Sequence, residues 1–208
     1  MARPLVLATT NPGKIREFKE LLTGFKVDIR SLKDFGPLPP ILEDGKTFDE
    51  NAYKKASMTA RYLGLPALAD DSGLVVEALG GAPGVNSARY AGEGASDEDN
   101  IQKLLRAMEG VANRRARFEC VLSIAVPRGP ALTYEGFCEG EILHEKRGEN
   151  GFGYDPVFYY PPMKKTFAQM SSDEKNRVSH RGKAMAELKE EFDKVLLWLE
   201  QRLSEEPV

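Results

Sequence analysis

Two carboxylates stand side by side at Asp70 and Asp71, followed by Ser72 and Gly73. Neighbouring carboxylates repel, and at the end of a buried strand that repulsion needs a counter-charge. A hard divalent cation is one solution. Mg2+ takes oxygen ligands, usually one or two carboxylates, with substrate phosphates and waters completing its shell. A solvated Asp-rich turn accounts for the same residues, because Asp, Ser and Gly are all turn formers. Glu43-Asp44 lies in another loop and offers a further carboxylate to such an ion. On its own it is an ordinary exposed charge pair.

Thr9-Thr10-Asn11-Pro12-Gly13-Lys14 joins an apolar run to a helical pattern. Backbone N–H groups at a helix N-terminus favour anions, and a lysine there adds a full charge, so the segment suits a phosphate. It is not a Walker A loop, which needs G-x-x-x-x-G-K-[ST]. A plain strand-turn-helix connection fits it as well. Lys54 and Lys55 follow on the next predicted helix. Helical spacing puts Lys55 nearer the Ala52/Ala56 side, and Asn51 shares its face at i, i+4. Lys55 is therefore the one expected to turn toward a site, with a snorkelling surface lysine as the alternative.

A second group of residues suits a flat heterocycle. Gly148-Glu-Asn-Gly151-Phe152-Gly153-Tyr154-Asp155-Pro156 is glycine-rich, with two aromatics and a carboxylate. Glycines let a backbone approach a ligand closely. Phe152 could stack a base and Asp155 could read its polar edge. A glycine-aromatic loop leading into a strand is the plainer reading. Lys175 and Ser179-His180-Arg181-Gly182 precede or open the last predicted helix. Arg181 and Lys183 at a helix start oppose the macrodipole, so local propensity does not explain them.

These residues need elements to hold them. Leu5 to Ala8 reads as a buried strand, and Ile15, Phe18, Leu21 and Leu22 repeat with helical spacing up to Gly24. Val27 to Leu32 alternates like a strand. Thr47-Phe-Asp-Glu50 has the form of a capping box. It opens a helix carrying Phe48, Ala52, Ala56, Ala60 and Leu63, which Gly64 ends. Leu65 to Ala69 is a short strand that Asp70 to Gly73 closes, and Gly80 to Gly84 is a loop. Ser96 caps a third helix with Ile101, Leu104, Leu105 and Met108. Phe118 to Val126 and Leu132 to Ile142 make an antiparallel hairpin across Pro127-Arg-Gly-Pro130, and Val157 to Tyr160 is a further strand. The last helix, about Lys183 to Leu203, carries one stripe from Met185 through Leu188, Phe192, Val195, Leu196 and Leu199 to Leu203. Early strands alternating with helices, with a hairpin after them, give an α/β fold with a mixed sheet. Residues 204–208 read as a loose tail.

The chain has 208 residues, 41% hydrophobic, with 29 Lys+Arg against 32 Asp+Glu and a net charge of −3. That length fits one domain. The charge argues against a grip on nucleic acid, which wants a basic surface, but not against a small polyanion that feels local charge. No apolar run reaches a membrane span, and the N-terminal residues read as a strand, not a signal peptide. Cys120 and Cys138 are expected to be buried, reduced thiols. A cytoplasmic protein without a membrane partner is the expectation.

Taken together, these segments resemble the non-standard purine nucleoside triphosphate pyrophosphatases, also called inosine triphosphate or dITP/XTP pyrophosphatases. The matching stretches are Ala8 to Lys14, Thr47-Phe-x-Glu-Asn-Ala52 with Lys55, and Ala69 to Gly73. Gly80 to Gly84 running to Ser87-Ala-Arg-Tyr-Ala-Gly92, then Gly151 to Pro156, and Ser179 to Ala184 complete them. The resemblance covers nearly the whole chain. It implies one domain over 1–208 with a long, mixed, twisted β-sheet flanked by helices, and two lobes around a central nucleotide-binding cleft. It implies cleavage of ITP, dITP or XTP to the monophosphate and pyrophosphate, which clears deaminated purines from the nucleotide pool. It also implies Mg2+ dependence and a homodimer.

Carried over by position, the resemblance makes Thr9, Thr10, Asn11, Pro12, Gly13 and Lys14 the phosphate-binding loop. Asp71 becomes the metal ligand and general base, with Glu43 and Asp70 helping to hold the metal. Lys55 faces the phosphates and Ser72 touches substrate; the charge of a triphosphate then calls for charge-assisted contacts from Lys14, Lys55 and Arg89. Phe152, Gly153, Tyr154 and Asp155, with Lys175, His180 and Arg181, form the base-recognition wall. Asn86 departs from the pattern, standing where many relatives carry Tyr. Two rivals stay open here: a nucleotide sensor that does not hydrolyse, and a phosphatase that releases orthophosphate.

Overall fold

The computed structural model describes residues 3–204. The strands are β1 (Arg3–Leu7), β2 (Val27–Ser31), β3 (Ala67–Val76), β4 (Arg115–Ala125), β5 (Ala131–Ile142), β6 (Phe158–Tyr160) and β7 (Lys165–Thr166). The helices are α1 (Pro12–Leu21), α2 (Phe48–Leu63), α3 (Asp97–Ala107), α4 (Ser172–Val178) and α5 (His180–Ser204). One mixed sheet runs in the order β2-β1-β3-β4-β5-β6-β7. β1 pairs in parallel with β2, Leu5 opposite Ile29, and with β3, Val6 opposite Ala67. Parallel neighbours need a crossover, and α1 and α2 supply them. β6 runs antiparallel to both β5 and β7. The short link Val126 to Pro130 permits only an antiparallel β4–β5 pair.

The chain forms two compact units. The first holds residues 1–71, 121–135 and 184–208; the second holds 72–120 and 136–183. Strands β3, β4 and β5 contribute residues to both.

In the first unit, one face of α2 is built of alanines. Ala52, Ala56 and Ala60 have no exposed surface. Ala56 and Ala60 pack with Val6, Ala67, Ala69 and Ala125. Side chains this small let a helix backbone come close to a strand, so polar residues on the same helix face reach the sheet. The apolar stripe of α5 buries Met185, Leu188, Phe192, Val195 and Leu199, with Phe192 edge-on to Phe25 at 4.8 Å between ring centroids. Leu196 and Leu203 are half-buried at its margin. In the second unit the core is aromatic: Phe118, Phe158 and Phe167 lie 4.7 to 5.7 Å apart, ringed by Leu74, Ile101, Leu104 and Ile142. β5 shows the strict alternation of a half-buried strand, with Tyr134, Cys138 and Ile142 in and Glu135, Phe137, Glu139 and Glu141 out.

The structure corrects four local expectations. Asp70 to Gly73 do not close a strand as a turn; they lie inside β3, which runs on to Val76. Lys175 sits on a helix, α4, that the sequence reading did not anticipate, and α5 begins at His180 rather than near Lys183. The capping box at Thr47 is only half formed: Thr47 Oγ1 accepts the Glu50 N–H, but the Glu50 carboxylate accepts from Lys46 N–H at 2.6 Å. The box at Ser96, by contrast, closes fully through Asp99. Of the expected loose tail, Ser204 ends α5, and 205–208 lie outside the described residues. Cys120 and Cys138 are buried and not joined in a disulfide. Among the described residues no helix is long and apolar enough to cross a membrane.

Candidate active site

The first unit gathers a ladder of lysines and carboxylates. Successive side chains leave a strand on opposite faces, so Asp70 and Asp71 part company within β3. Each meets its own lysine. Lys14, in the first turn of α1, places Nζ 2.7 Å from Asp70 Oδ2, and the Asp70 side chain is almost wholly buried. Lys55 places Nζ 2.9 Å from Asp71 Oδ1 and 3.1 Å from Glu43 Oε2. The repulsion expected of adjacent carboxylates is thus answered twice over by the protein's own cations. Lys54, one step around α2, pairs with Asp44 at the surface. The helical spacing that singled out Lys55 therefore holds.

Electrostatics follow from this packing. Burial pushes the Asp71 carboxyl above its ordinary value, with Lys55 and the Asn51 amide working the other way and Glu43 adding to the rise. Burial also works to strip the Lys55 proton, but Asp71, Asp70 and Glu43 outweigh it and hold the ammonium above its usual value. Lys55 stays charged.

The phosphate-loop candidate is a genuine helix start. Asn11 caps α1, its Oδ1 accepting from Gly13 N–H at 2.8 Å and from Lys14 N–H at 3.3 Å, and Pro12 occupies the position where a missing N–H costs nothing. Thr9 Oγ1 accepts the Asn11 N–H at 3.2 Å. Thr10 and Asn11 are exposed.

The second unit assembles the aromatic and basic residues. Phe152 is half exposed, with Lys175 Nζ 4.6 Å from its ring centroid and Arg181 Cζ at 5.7 Å. Asp155 is buried and holds this arrangement: its Oδ2 accepts from Lys175 Nζ at 2.5 Å and from Phe152 N–H at 2.9 Å. Burial pushes the Asp155 carboxyl up, against the pull of Lys175, the Phe152 N–H and Arg181. Asp155 is thus an acidic neighbour for Arg181, which is buried in the first turn of α5. His180 lies flat against Phe118, centroids 4.7 Å apart at 13°. Ser179 Oγ accepts the Gly182 N–H at 3.1 Å and so caps the helix that carries both.

Two glycines make this packing possible. A Cβ at Gly151, whose φ is +81°, would lie 2.0 Å from Asp155 Oδ2, and one at Gly182 would lie 1.7 Å from the Asn176 carbonyl oxygen. Gly153 N–H is anchored by Asp97 Oδ2 at 2.7 Å. Tyr154 faces inward and donates to the Ser87 carbonyl at 2.8 Å, so it braces the loop. Ser87 also takes the Leu74 N–H at 2.8 Å and donates to the Gly84 carbonyl, whereas Asn86 is exposed. The departure at Asn86 leaves that turn intact. Ser72 is half-buried in β3, and Arg89 ends the turn Gly84–Arg89 with Nε 3.6 Å from Glu93 Oε1.

One residue of this constellation escaped the sequence reading as a site residue. Asn51 Nδ2 donates to Asp71 Oδ2 at 3.2 Å. Its shared face with Lys55 was the available signal.

A resident divalent metal can be tested against these side chains. Among the described residues, no three His, Cys, Asp or Glu side chains converge closely enough to cage an ion. Asp71 and Glu43 do converge on one positive charge, the Lys55 ammonium, and both are hard oxygen donors. That set fits Mg2+, which is commonly held by one or two carboxylates together with substrate phosphates.

The chain matches the Ham1 family over residues 5–191. It is 64% identical over 202 residues to a dITP/XTP pyrophosphatase of Desulfotalea psychrophila, covering 97% of this chain and 91% of that protein. It is 65% identical over 202 residues to one of Syntrophobacter fumaroxidans, covering 97% and 87%. The structure of a HAM1 protein from Coxiella burnetii superposes with a TM-score of 0.88 at 44% identity, covering 92% of this chain and 99% of that one. Both the phosphate-loop and the base-wall segments fall inside the matched span, and the chain belongs to the Ham1 family.

Proposed function

We propose that this chain hydrolyses deaminated purine nucleoside triphosphates, ITP, dITP and XTP, to the monophosphate and pyrophosphate. It does so as a single catalytic domain over 1–208, a cytoplasmic homodimer that takes free nucleotides and no polymer. The observation that carries the reading is the pairing of Lys14 with Asp70 and Lys55 with Asp71 beside the capped start of α1. A triphosphate brings several negative charges, and a water cannot attack until they are neutralised. Lys14, Lys55 and the N–H groups at the start of α1 supply that neutralisation.

Asp71 is the residue assigned to orient and deprotonate the attacking water, because burial makes its carboxyl more basic than an exposed one. Asp71 and Glu43 are the residues that would hold Mg2+, with Asp70 behind them. The ion would supply charge stabilisation at the phosphate oxygens. Selectivity rests on donors. Lys175, Arg181 and His180 meet the O6 of hypoxanthine or xanthine, while the amino group of adenine would leave those donors facing another donor.

The test is 31P NMR of the purified protein with ITP and MgCl2, which separates pyrophosphate from orthophosphate in one spectrum. Pyrophosphate as first product, with ATP turned over far more slowly, supports the reading. Orthophosphate, or equal rates for ITP and ATP, overturns it. Asp71→Asn should keep the fold and lose most turnover.

A further inference from the structure

We propose that Asn51 is a positioning residue that locks Asp71 and the Glu43-bearing loop into one unit; the inference rests on the reaction proposed above. Asn51 is wholly buried on α2, and both ends of its amide are used. Nδ2 donates to Asp71 Oδ2 at 3.2 Å, and Oδ1 accepts the Gly45 N–H at 2.8 Å. A carboxylate only accepts and a backbone N–H only donates, so the amide has one orientation. With Oδ2 held by Asn51, Asp71 Oδ1 faces Lys55 Nζ at 2.9 Å. Asn51 and Lys55 are one helical turn apart, so a single rigid face grips the carboxylate from both oxygens.

The same face grips the loop. Gly45 and Lys46 donate their backbone N–H groups to Asn51 and Glu50, neighbours on α2. Glu43, two residues before Gly45, then reaches Lys55 Nζ at 3.1 Å. Gly45 has no side chain for a steric reason: a Cβ there would lie 2.6 Å from Asn51 Oδ1 and 2.9 Å from Glu50 Cβ. The backbone presses against the helix at the point where the amide captures it. Asn51 thereby fixes both carboxylates that converge on Lys55.

Two variants separate the two halves of the clamp. Asn51→Asp keeps the volume and an acceptor for Gly45 but loses the donor to Asp71. Gly45→Ala leaves that donor in place and forces the loop off the helix. The measurements are ITP turnover at saturating substrate and amide hydrogen exchange across 41–46. Both variants should lose about 10- to 100-fold in kcat, the range for removing a hydrogen bond that orients a ligating carboxylate, with a smaller change in KM for ITP. Exchange at 41–46 should accelerate in Gly45→Ala alone, with the interior of α2 as protected as in the wild type. Turnover close to wild type in Asn51→Asp overturns the proposal. So does a Gly45→Ala protein whose loop exchanges faster without losing kcat, or loss of protection along the whole of α2. Should Asn51→Asp fail to fold, Gly45→Ala decides alone. A wild-type protein that releases no pyrophosphate from ITP would refute the reaction, while the exchange data would still decide whether the clamp exists.

Discussion

Replacing Lys175 with Met removes one charge and keeps most of the volume, and the structure says what remains. Asp155 is 3% exposed at its side chain, and Lys175 Nζ at 2.5 Å is its nearest counter-charge. Without it a carboxylate is left buried with the Phe152 N–H and the more distant Arg181 charge. Breaking a buried pair from one side costs about 3–5 kcal/mol. For a chain of this size that lowers Tm on the order of 6–20 °C. The size of the loss depends on pH, and its sign can be fixed. Burial already holds the Asp155 carboxyl above its ordinary 3.8, so the native state binds that proton more tightly than the unfolded chain. The associated stability is complete below 3.8 and falls as pH rises through the native value. Removing Lys175, the largest force opposing the rise, carries the window upward. The variant should therefore suffer most at pH 8 and recover by up to about 1.4 kcal/mol for each pH unit of acidification, until Asp155 is neutral. Urea denaturation followed by far-UV circular dichroism at pH 8 and pH 5 reads this directly. A loss equal at both pH values would refute the claim that an uncompensated Asp155 charge is its cause. So would a double variant with Asp155→Asn that recovered nothing at pH 8.

Gly182→Ala drives a Cβ into the Asn176 carbonyl, a backbone atom with no rotamer to yield. Overpacking costs about 1–3 kcal/mol, and here the relief must come from moving His180 and Arg181. The variant should melt lower and lose discrimination between ITP and ATP; an unchanged rate ratio counts against the base wall. Cys138 has its thiol pushed up to about 11 by burial. At pH 8 it should resist an aromatic disulfide reagent in the native protein and react on unfolding in urea; rapid native labelling at Cys138 would contradict its burial.

How far the sequence reaches is clearest at Asp70–Gly73. Four turn formers in a row argue for a turn, and local chemistry offers no counter-argument. What overrides it is tertiary: Lys14 arrives from α1 and Lys55 from α2, and each neutralises one carboxylate. The two carboxylates are therefore offset without an ion, while Asp71 and Glu43 remain the oxygen donors that would hold one. Lys55 itself was legible, because helical spacing and an alanine face decide which of two adjacent lysines turns inward. The helix α4 carried a readable signal, Ser171 followed three residues on by Glu174, and the capping box there is complete. No apolar repeat follows that signal, because no residue of α4 is buried.

The base wall is a different matter. His180 against Phe118, and Lys175 against Asp155 and Phe152, join segments remote in sequence with no shared periodicity. Composition could nominate those residues, but only packing could join them. On the reading proposed above, the two clusters also differ in what they give the reaction. In the first unit the charges sit in close pairs, so any phosphate that docks competes with carboxylates for Lys14 and Lys55. Affinity for the triphosphate is then set by how much better phosphate serves those lysines than Asp70, Asp71 and Glu43 do. A divalent cation that engages Asp71 and Glu43 shifts that competition toward phosphate, because it frees Lys55 from its present partners. Substrate binding and metal binding should accordingly be coupled, each raising the affinity for the other by the same factor. Calorimetric titration of the wild-type protein with a non-hydrolysable ITP analogue, with and without Mg2+, reads the coupling without turnover, and Asp71→Asn should diminish it. Equal affinities with and without the ion in the wild-type protein would show that the lysines and the carboxylates do not compete.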